Sequence, residues 1–251
     1  MTRDNRDGRR VATLLGLAAA DVVVRQPRWA AGAAAAVVPR VLIDVRTRRR
    51  LVALTFDDGP DRVVTPALLD VLERHGATAT FFVMGDRAVE EPVILRGIVD
   101  GGHEVGNHLM GPQPTVLQPT VAFERDLLRC DRVLAGVAAA RHYRPASGWI
   151  RPGQVAVARR HGYRCALGSV TLVRDPVRRP AVAARALARH VRPGAIVVLH
   201  EGTAARSTVV ETVDRFLTHL SARGYRAVSL VTLLDTVARD RPDTTGTPAE
   251  W

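Results

Sequence analysis

Residues 51–60 read Leu51-Val52-Ala53-Leu54-Thr55-Phe56-Asp57-Asp58-Gly59-Pro60. Leu51, Val52, Ala53, Leu54 and Phe56 form an apolar run of strand length, and Gly59-Pro60 ends it with a turn. The run therefore delivers two neighbouring carboxylates, Asp57 and Asp58, to the end of a buried strand. Side by side they repel. One is driven neutral unless a cation or an arginine holds both charges and leaves one free to act as a base. Asp-Asp-Gly-Pro also suits an ordinary surface turn, so the choice falls to the rest of the chain.

From Leu51 onward strand and helix patterns alternate, the signature of a parallel sheet. Strands are predicted near 51–57, 78–84, 103–108, 142–146, 163–170, 194–199 and 225–230. The first helix is expected to be capped by Thr65, with Pro66 in its first turn, an apolar row of Leu68, Leu69 and Leu72, and Gly76 at its end. Further helices are predicted over Glu90 to Gly101 and near 119–138, 151–161, 180–191, 208–223 and 231–239. Polar clusters follow the apolar runs: the aspartate pair, His103-Glu104-Val105-Gly106-Asn107-His108, Arg144-Pro145-Ala146-Ser147-Gly148-Trp149, and His200 after Ile196-Val197-Val198-Leu199. On a parallel sheet they converge on one rim, where such folds place their active sites. The alternation alone permits either an open doubly wound sheet or a barrel.

Taken in order, TFDDGP, GHEVGNH, RPASG and IVVLH make the chain resemble, over roughly residues 50–236, the polysaccharide deacetylase (NodB-homology, carbohydrate esterase 4) family. The resemblance implies an α/β fold: a distorted, incomplete (β/α) barrel of about seven strands with a groove across its face, over residues 50–239. It implies a hydrolase of carbon–nitrogen bonds that removes acetyl groups from N-acetylated amino sugars of a chitin-like or peptidoglycan glycan, assisted by a divalent metal, usually zinc. On that pattern Asp57 is the base, Asp58 and His108 are metal ligands, Arg144 orients Asp57, and the Ser147 N–H binds the oxyanion. His200 is the acid that protonates the leaving nitrogen, and Val198 and Leu199 flank the acetyl methyl. Trp149 is either a sugar-stacking face or core packing, and His103 is expected to be a structural hydrogen-bonder.

The chain also departs from that pattern. The position four residues after His108, where the family carries another metal ligand, is Pro112, which has no donor atom. A catalytic zinc ordinarily has three protein ligands and a water. Gln113 is a poor substitute, and Glu104 lies about 13 Å away along an extended strand. The metal is therefore expected to bind weakly or not at all. Ala146 and Ser147 replace Pro and Tyr of the groove motif, and the carboxylate that tunes the acid in relatives reduces to Asp175. Two other readings follow, a glycan-binding relative without turnover and a metal-independent C–N hydrolase.

All 36 basic residues are arginine and none is lysine, a one-sided usage that points to coding bias, so the formal charge of +11 says little about partners. The arginines are scattered, and aromatic residues make up only 4%, too few for base-stacking platforms, which argues against nucleic acid. Weak attraction to an anionic cell envelope or membrane surface fits better, and an envelope or extracytoplasmic location is preferred to a cytoplasmic one. Residues 1–49 read as a helical extension or a signal or anchor segment, and residues 240–251 as a disordered tail. Cys130 and Cys165 lack metal spacing and read as buried thiols. His75, His161, His190 and His219, near predicted helix ends, read as structural.

Overall fold

The computed structural model describes residues 23–25, 41–172 and 177–240. At its centre is strand β3 (Leu51–Gly59), buried along nearly its whole length. Burial on both faces explains why residues 51–54 are continuously apolar instead of alternating. Val52, Leu54 and Phe56 face an outer core beneath the helices, whereas Leu51 and Ala53 face an inner core inside the curled sheet. The same alternation turns Thr55 and Asp57 inward.

Strand β9 (Ile196–His200) pairs with one side of β3. On the other side β4 (Thr80–Val83) pairs with its carboxyl half and β10 (Arg226–Val228) with its amino end. Beyond β4 come β5 (Glu104–Asn107), β6 (His142–Tyr143), β7 (Arg164–Ala166) and β2 (Val41–Leu42). Beyond β9 come β8 (Val170–Leu172) and β1 (Val23–Arg25), the last antiparallel. Strands β7 and β8 thus lie near opposite edges of the sheet, yet only Leu167, Gly168 and Ser169 separate them. Four residue steps span at most about 14 Å, so the sheet must curl until its edges nearly meet. The link is stitched to both sides of the seam: Leu167 N–H donates to the Leu42 carbonyl of β2 and Ser169 N–H to the Ile196 carbonyl of β9. Gly168 makes this passage possible with φ +123°, since a Cβ there would lie 2.4 Å from Val198 Cγ2. The result is a curled parallel half-barrel. All seven expected strands are present in it, except that the expected strand over 163–170 is broken in two at this glycine.

The helices are α1 (Val64–Arg74), α2 (Gly85–Glu90), α3 (Pro92–Asp100), α4 (Thr120–Leu134), α5 (Pro152–Arg160), α6 (Pro180–His190), α7 (Thr208–Ala222) and α8 (Leu230–Arg239). Leu230, Leu233, Leu234 and Val237 of α8 pack on Leu51, Ala53 and Val228, plugging the amino end of the barrel. Ser229 caps that helix by accepting from Thr232 N–H. The expected cap of α1 is corrected: Asp61 Oδ1 accepts from Val63 and Val64 N–H, and the Thr65 hydroxyl is turned inward to Glu201. Gly76 ends that helix region at φ +55°, as expected. The Glu90–Gly101 expectation resolves into α2 and α3, with Pro92 starting the second.

Cys130 and Cys165 are buried free thiols. His75 pairs with Asp214 and His161 with Glu124, and His103 accepts from Ala79 N–H. Among the described residues no helix is long and apolar enough to cross a membrane. The expected leader or extension lies, apart from 23–25 and 41–49, outside the described residues. Asp175 and the tail beyond Asp240 lie outside them too.

Candidate active site

Two adjacent strand residues ordinarily point to opposite faces, so Asp57 and Asp58 could not both enter the barrel from a regular strand. A β-bulge resolves this. Asp57 pairs with Phe82 and Gly59 with Val83, leaving Asp58 as the extra residue, and Asp58 adopts φ +72°. A left-handed step costs an L-residue about 1–2 kcal/mol, with aspartate among the more tolerant. The bulge is supported from the next strand end, where Gly202 packs so closely that a Cβ would come 2.2 Å from the Asp58 carbonyl oxygen. Both carboxylates consequently line one cleft of about 410 Å³ at the carboxyl ends of the strands, together with His108, Pro112, Arg144 and His200.

Asp57 is 3% exposed. Its charge is met by Arg144, just beyond β6, whose Nη1 donates to Asp57 Oδ1 at 2.6 Å and to Thr55 Oγ1 at 2.8 Å. Arg144 Nε donates to the Ala166 carbonyl at 2.8 Å, and its guanidinium carbon lies 4.1 Å from the Phe82 ring centroid. The arginine thus reaches across the inside of the curled sheet, clamped between β3, β7 and the Phe82 ring, and it fixes the carboxylate's orientation. Asp57 Oδ2 faces His200 Nε2 at 4.0 Å. That is too long for a direct hydrogen bond and short enough for one reacting group to touch both. The two residues are register partners across β3 and β9, so the central strand pairing itself sets this separation.

Asp58 and His108 approach each other at 3.3 Å through Oδ1 and Nε2. His108 Nδ1 is 2.8 Å from the Arg144 carbonyl and donates to it; a second donation from Nε2 to Asp58 requires the imidazolium form. Burial works against that charge, but the Asp57 and Asp58 carboxylates outweigh it and raise the His108 pKa. Burial likewise disfavours the Asp58 charge, yet His108, Arg206 and His200 hold its pKa well below the usual carboxylate range.

Arg206, in the short helical turn Ala204–Arg206 that follows β9, was not anticipated from the sequence. Its Nη1 donates to Asp58 Oδ2 at 2.6 Å and to the Glu201 carbonyl at 2.7 Å. The one cue was an arginine six residues past the strand-ending His200, within reach of the same rim.

The remaining expected residues divide. Val198 lines the cleft. Leu199 does not: it is 1% exposed and packs in the outer core with Phe56 and Val197. This corrects the expectation, because on β9 the inward positions are 198 and 200. Leu167, Gly168 and Thr171 supply the rest of the wall near Val198. Ala146 and Gly148, on either side of Ser147 in the turn Ala146–Gly148, line the cleft. Trp149 is 72% exposed and therefore packs no core.

Glu201, also unanticipated, is fully buried beside this site. Thr65 Oγ1 donates to its Oε2 at 2.5 Å, while Oε1 has no hydrogen-bond partner among the described residues. Burial, reinforced by Asp61 and Asp58, pushes its pKa up to about 8. A carboxyl whose pKa rises on folding favours the folded state while protonated. That contribution is complete below the unfolded value near 4.5 and is lost as pH rises towards 8. Glu201→Gln removes the titration, so the melting temperature of the native protein is expected to fall relative to this variant between pH 5 and pH 9, in thermal melts followed by circular dichroism. Parallel pH profiles for the two proteins would contradict the assignment.

The family resemblance implies a divalent metal, and the donor set tests it. Asp58 and His108 are paired and inward, but Pro112 lines the cleft where another ligand would stand, and Arg206 already neutralises Asp58 Oδ2. Among the described residues no group of three His, Cys, Asp or Glu side chains is arranged to hold a metal ion. The residues present do not fit the three-ligand site that a catalytic zinc needs.

Comparison with known proteins identifies the family and the fold. Residues 44–166 match the family model described as polysaccharide deacetylase. A peptidoglycan-N-acetylglucosamine deacetylase of Bacillus cereus is 32% identical, over 76% of this chain and 91% of that protein. Among solved structures, a pseudoenzyme of carbohydrate esterase family 4 from Bacillus anthracis superposes with a TM-score of 0.73 at 26% identity, covering 78% of this chain and 69% of that one. A family 4 acetyl xylan esterase from Clostridium thermocellum, in complex with a cobalt ion, gives 0.70 at 29% identity, covering 75% and 92%.

Proposed function

The chain belongs to the polysaccharide deacetylase family, and from that premise we propose that it hydrolyses the N-acetyl group of an amino sugar in a cell-wall or chitin-like glycan. The observation that carries this reading is the pair Asp57 Oδ2 and His200 Nε2, facing each other across 4.0 Å at the barrel mouth. Asp57, its other oxygen held by Arg144, takes a proton from water as the water oxygen bonds to the acyl carbon. The backbone amide of Ser147, in the turn that lines the cleft, donates to the resulting oxyanion. When the C–N bond breaks, its electron pair stays on nitrogen, which accepts a proton from the imidazolium of His200. Acetic acid, which ionises to acetate in water, and a free amine leave. Val198 bounds the space for the acetyl methyl.

Sugar polymers of this kind lie outside the cytoplasm, and the similarity to the Bacillus cereus deacetylase supports an extracytoplasmic place of action. Trp149, exposed on the residue after the Ala146–Gly148 turn, offers a face on which a pyranose ring can stack.

The test is release of acetate and free amine in equal amounts from N-acetylglucosamine oligomers, before and after EDTA. Release is expected to survive the chelator, because the donor set does not complete a metal site. Trp149→Ala is expected to raise KM roughly fivefold, a stacking loss of about 1 kcal/mol, without change in melting temperature. Release that stops with EDTA would overturn the metal-free version of this reading. The incomplete donor set also favours a second reading, glycan binding without turnover, in line with the similarity to the Bacillus anthracis pseudoenzyme. It predicts retention of the oligomers with no acetate at all.

A further inference from the structure

The third-ligand position and the arginine beside Asp58 belong together. Pro112 removes a donor from one side of the Asp58–His108 pair, and Arg206 brings a cation to the other. Its placement is built, not incidental. The same Nη1 that donates to Asp58 Oδ2 also donates to the Glu201 carbonyl, and the Glu201 N–H donates to the Asp57 carbonyl. The guanidinium is therefore tied to the backbone between the acid, His200, and the base, Asp57. Its side chain is 24% exposed and lines the cleft, so its charge is only partly screened by solvent.

We propose that Arg206 is a built-in cation that takes the place of the metal: it neutralises and orients Asp58 and closes the centre to zinc. A guanidinium satisfies a carboxylate electrostatically and sterically where a metal would bind, and a metal would have to displace it to reach Oδ2. Arg206 is thus a positioning residue for Asp58, and the proline at 112 and the arginine at 206 both act on the Asp58–His108 pair. Its part in catalysis rests on the hydrolase reading above; the exclusion of zinc does not.

Zinc uptake, read without any activity assay, tests this. Purified wild-type protein, Pro112→His, Pro112→His/Arg206→Met and Pro112→His/Arg206→Lys are incubated with zinc and dialysed. Bound metal is then counted and melting temperature recorded with and without EDTA. Wild type is expected to retain no stoichiometric zinc and to show no zinc-dependent shift. Pro112→His alone is expected to bind poorly, because Arg206 still holds Asp58. Pro112→His/Arg206→Met is expected to take up one zinc per chain, with affinity about a hundredfold above that of Pro112→His and a melting temperature that rises with zinc and falls with EDTA. Pro112→His/Arg206→Lys, which keeps the cation, is expected to behave like Pro112→His, and it controls for packing changes at position 206. Circular dichroism establishes that each variant is folded. One zinc per chain in wild type, equal affinity in Pro112→His and the Met double variant, or no uptake by the folded Met double variant would each overturn the proposal. Absence of acetate release by wild type would count against the hydrolase reading and leave the zinc results to be judged on their own.

Discussion

Asp57→Asn lowers acetate release by about a thousandfold, within the range expected for loss of a positioned base, while the protein remains folded and still binds glycan. The substitution is nearly isosteric. Its amide oxygen can still accept from Arg144 Nη1, which now donates to Asp57 Oδ1 at 2.6 Å, so the arginine keeps a partner. The atom facing His200 changes from a carboxylate oxygen into an amide nitrogen, which cannot take a proton from water. The effect should therefore fall on kcat, with KM changed little, because the lost interaction belongs to the transition state. Steady-state kinetics on N-acetylglucosamine oligomers provide the measurement. An Asn variant that retains a tenth or more of wild-type kcat would remove Asp57 from the mechanism.

Arg144→Met is expected to be the most destabilising single change at the site. The guanidinium and the Asp57 carboxylate are nearly inaccessible, with side-chain exposures of 3% and 5%. Removing one partner of such a pair leaves a buried charge uncompensated, at a cost of about 3–5 kcal/mol. Arg144 also donates to the Thr55 hydroxyl and the Ala166 carbonyl, and both lose a donor. Methionine keeps most of the volume and an apolar contact with Phe82, so the loss is read as charge and hydrogen bonding, not as a cavity. Urea denaturation of Arg144→Met, Asp57→Asn and the double variant gives a cycle. The double variant should be more stable than Arg144→Met alone, because the stranded carboxylate is gone. Strict additivity would show that the pair is not coupled.

Much of this site could be read from the sequence because its parts lie where strands end. Asp57 and His200 close apolar strands, and His108 and Arg144 follow directly on β5 and β6; a parallel sheet brings such ends to one rim without further information. Asp58 was harder: strict alternation sends it away from Asp57, and only the bulge and its positive φ turn it back. The direction of Leu199 is legible in the sequence, since fixing His200 as inward fixes Leu199 as outward by the two-residue period. Arg206 lies in a loop, where no periodicity assigns direction, and its partner Asp58 is 148 residues away. Glu201 next to His200 is likewise silent, because a buried carboxyl looks in sequence like any solvated acid. The break at Gly168 shows the same limit in the fold, since the need for a residue without Cβ arises from Val198, on another strand.

The pairing of β3 also has a consequence for how the chain is made. Its whole partner on one side is β9, and one of its two partners on the other is β10, both encoded in the last quarter of the polypeptide. A nascent chain growing from its amino end therefore presents the longest of the described strands with that flank bare until residues 196–200 emerge. Such late, long-separation closure is slow and leaves a sticky edge open during synthesis. Truncations that stop short of Ile196 should yield aggregates instead of a smaller soluble barrel.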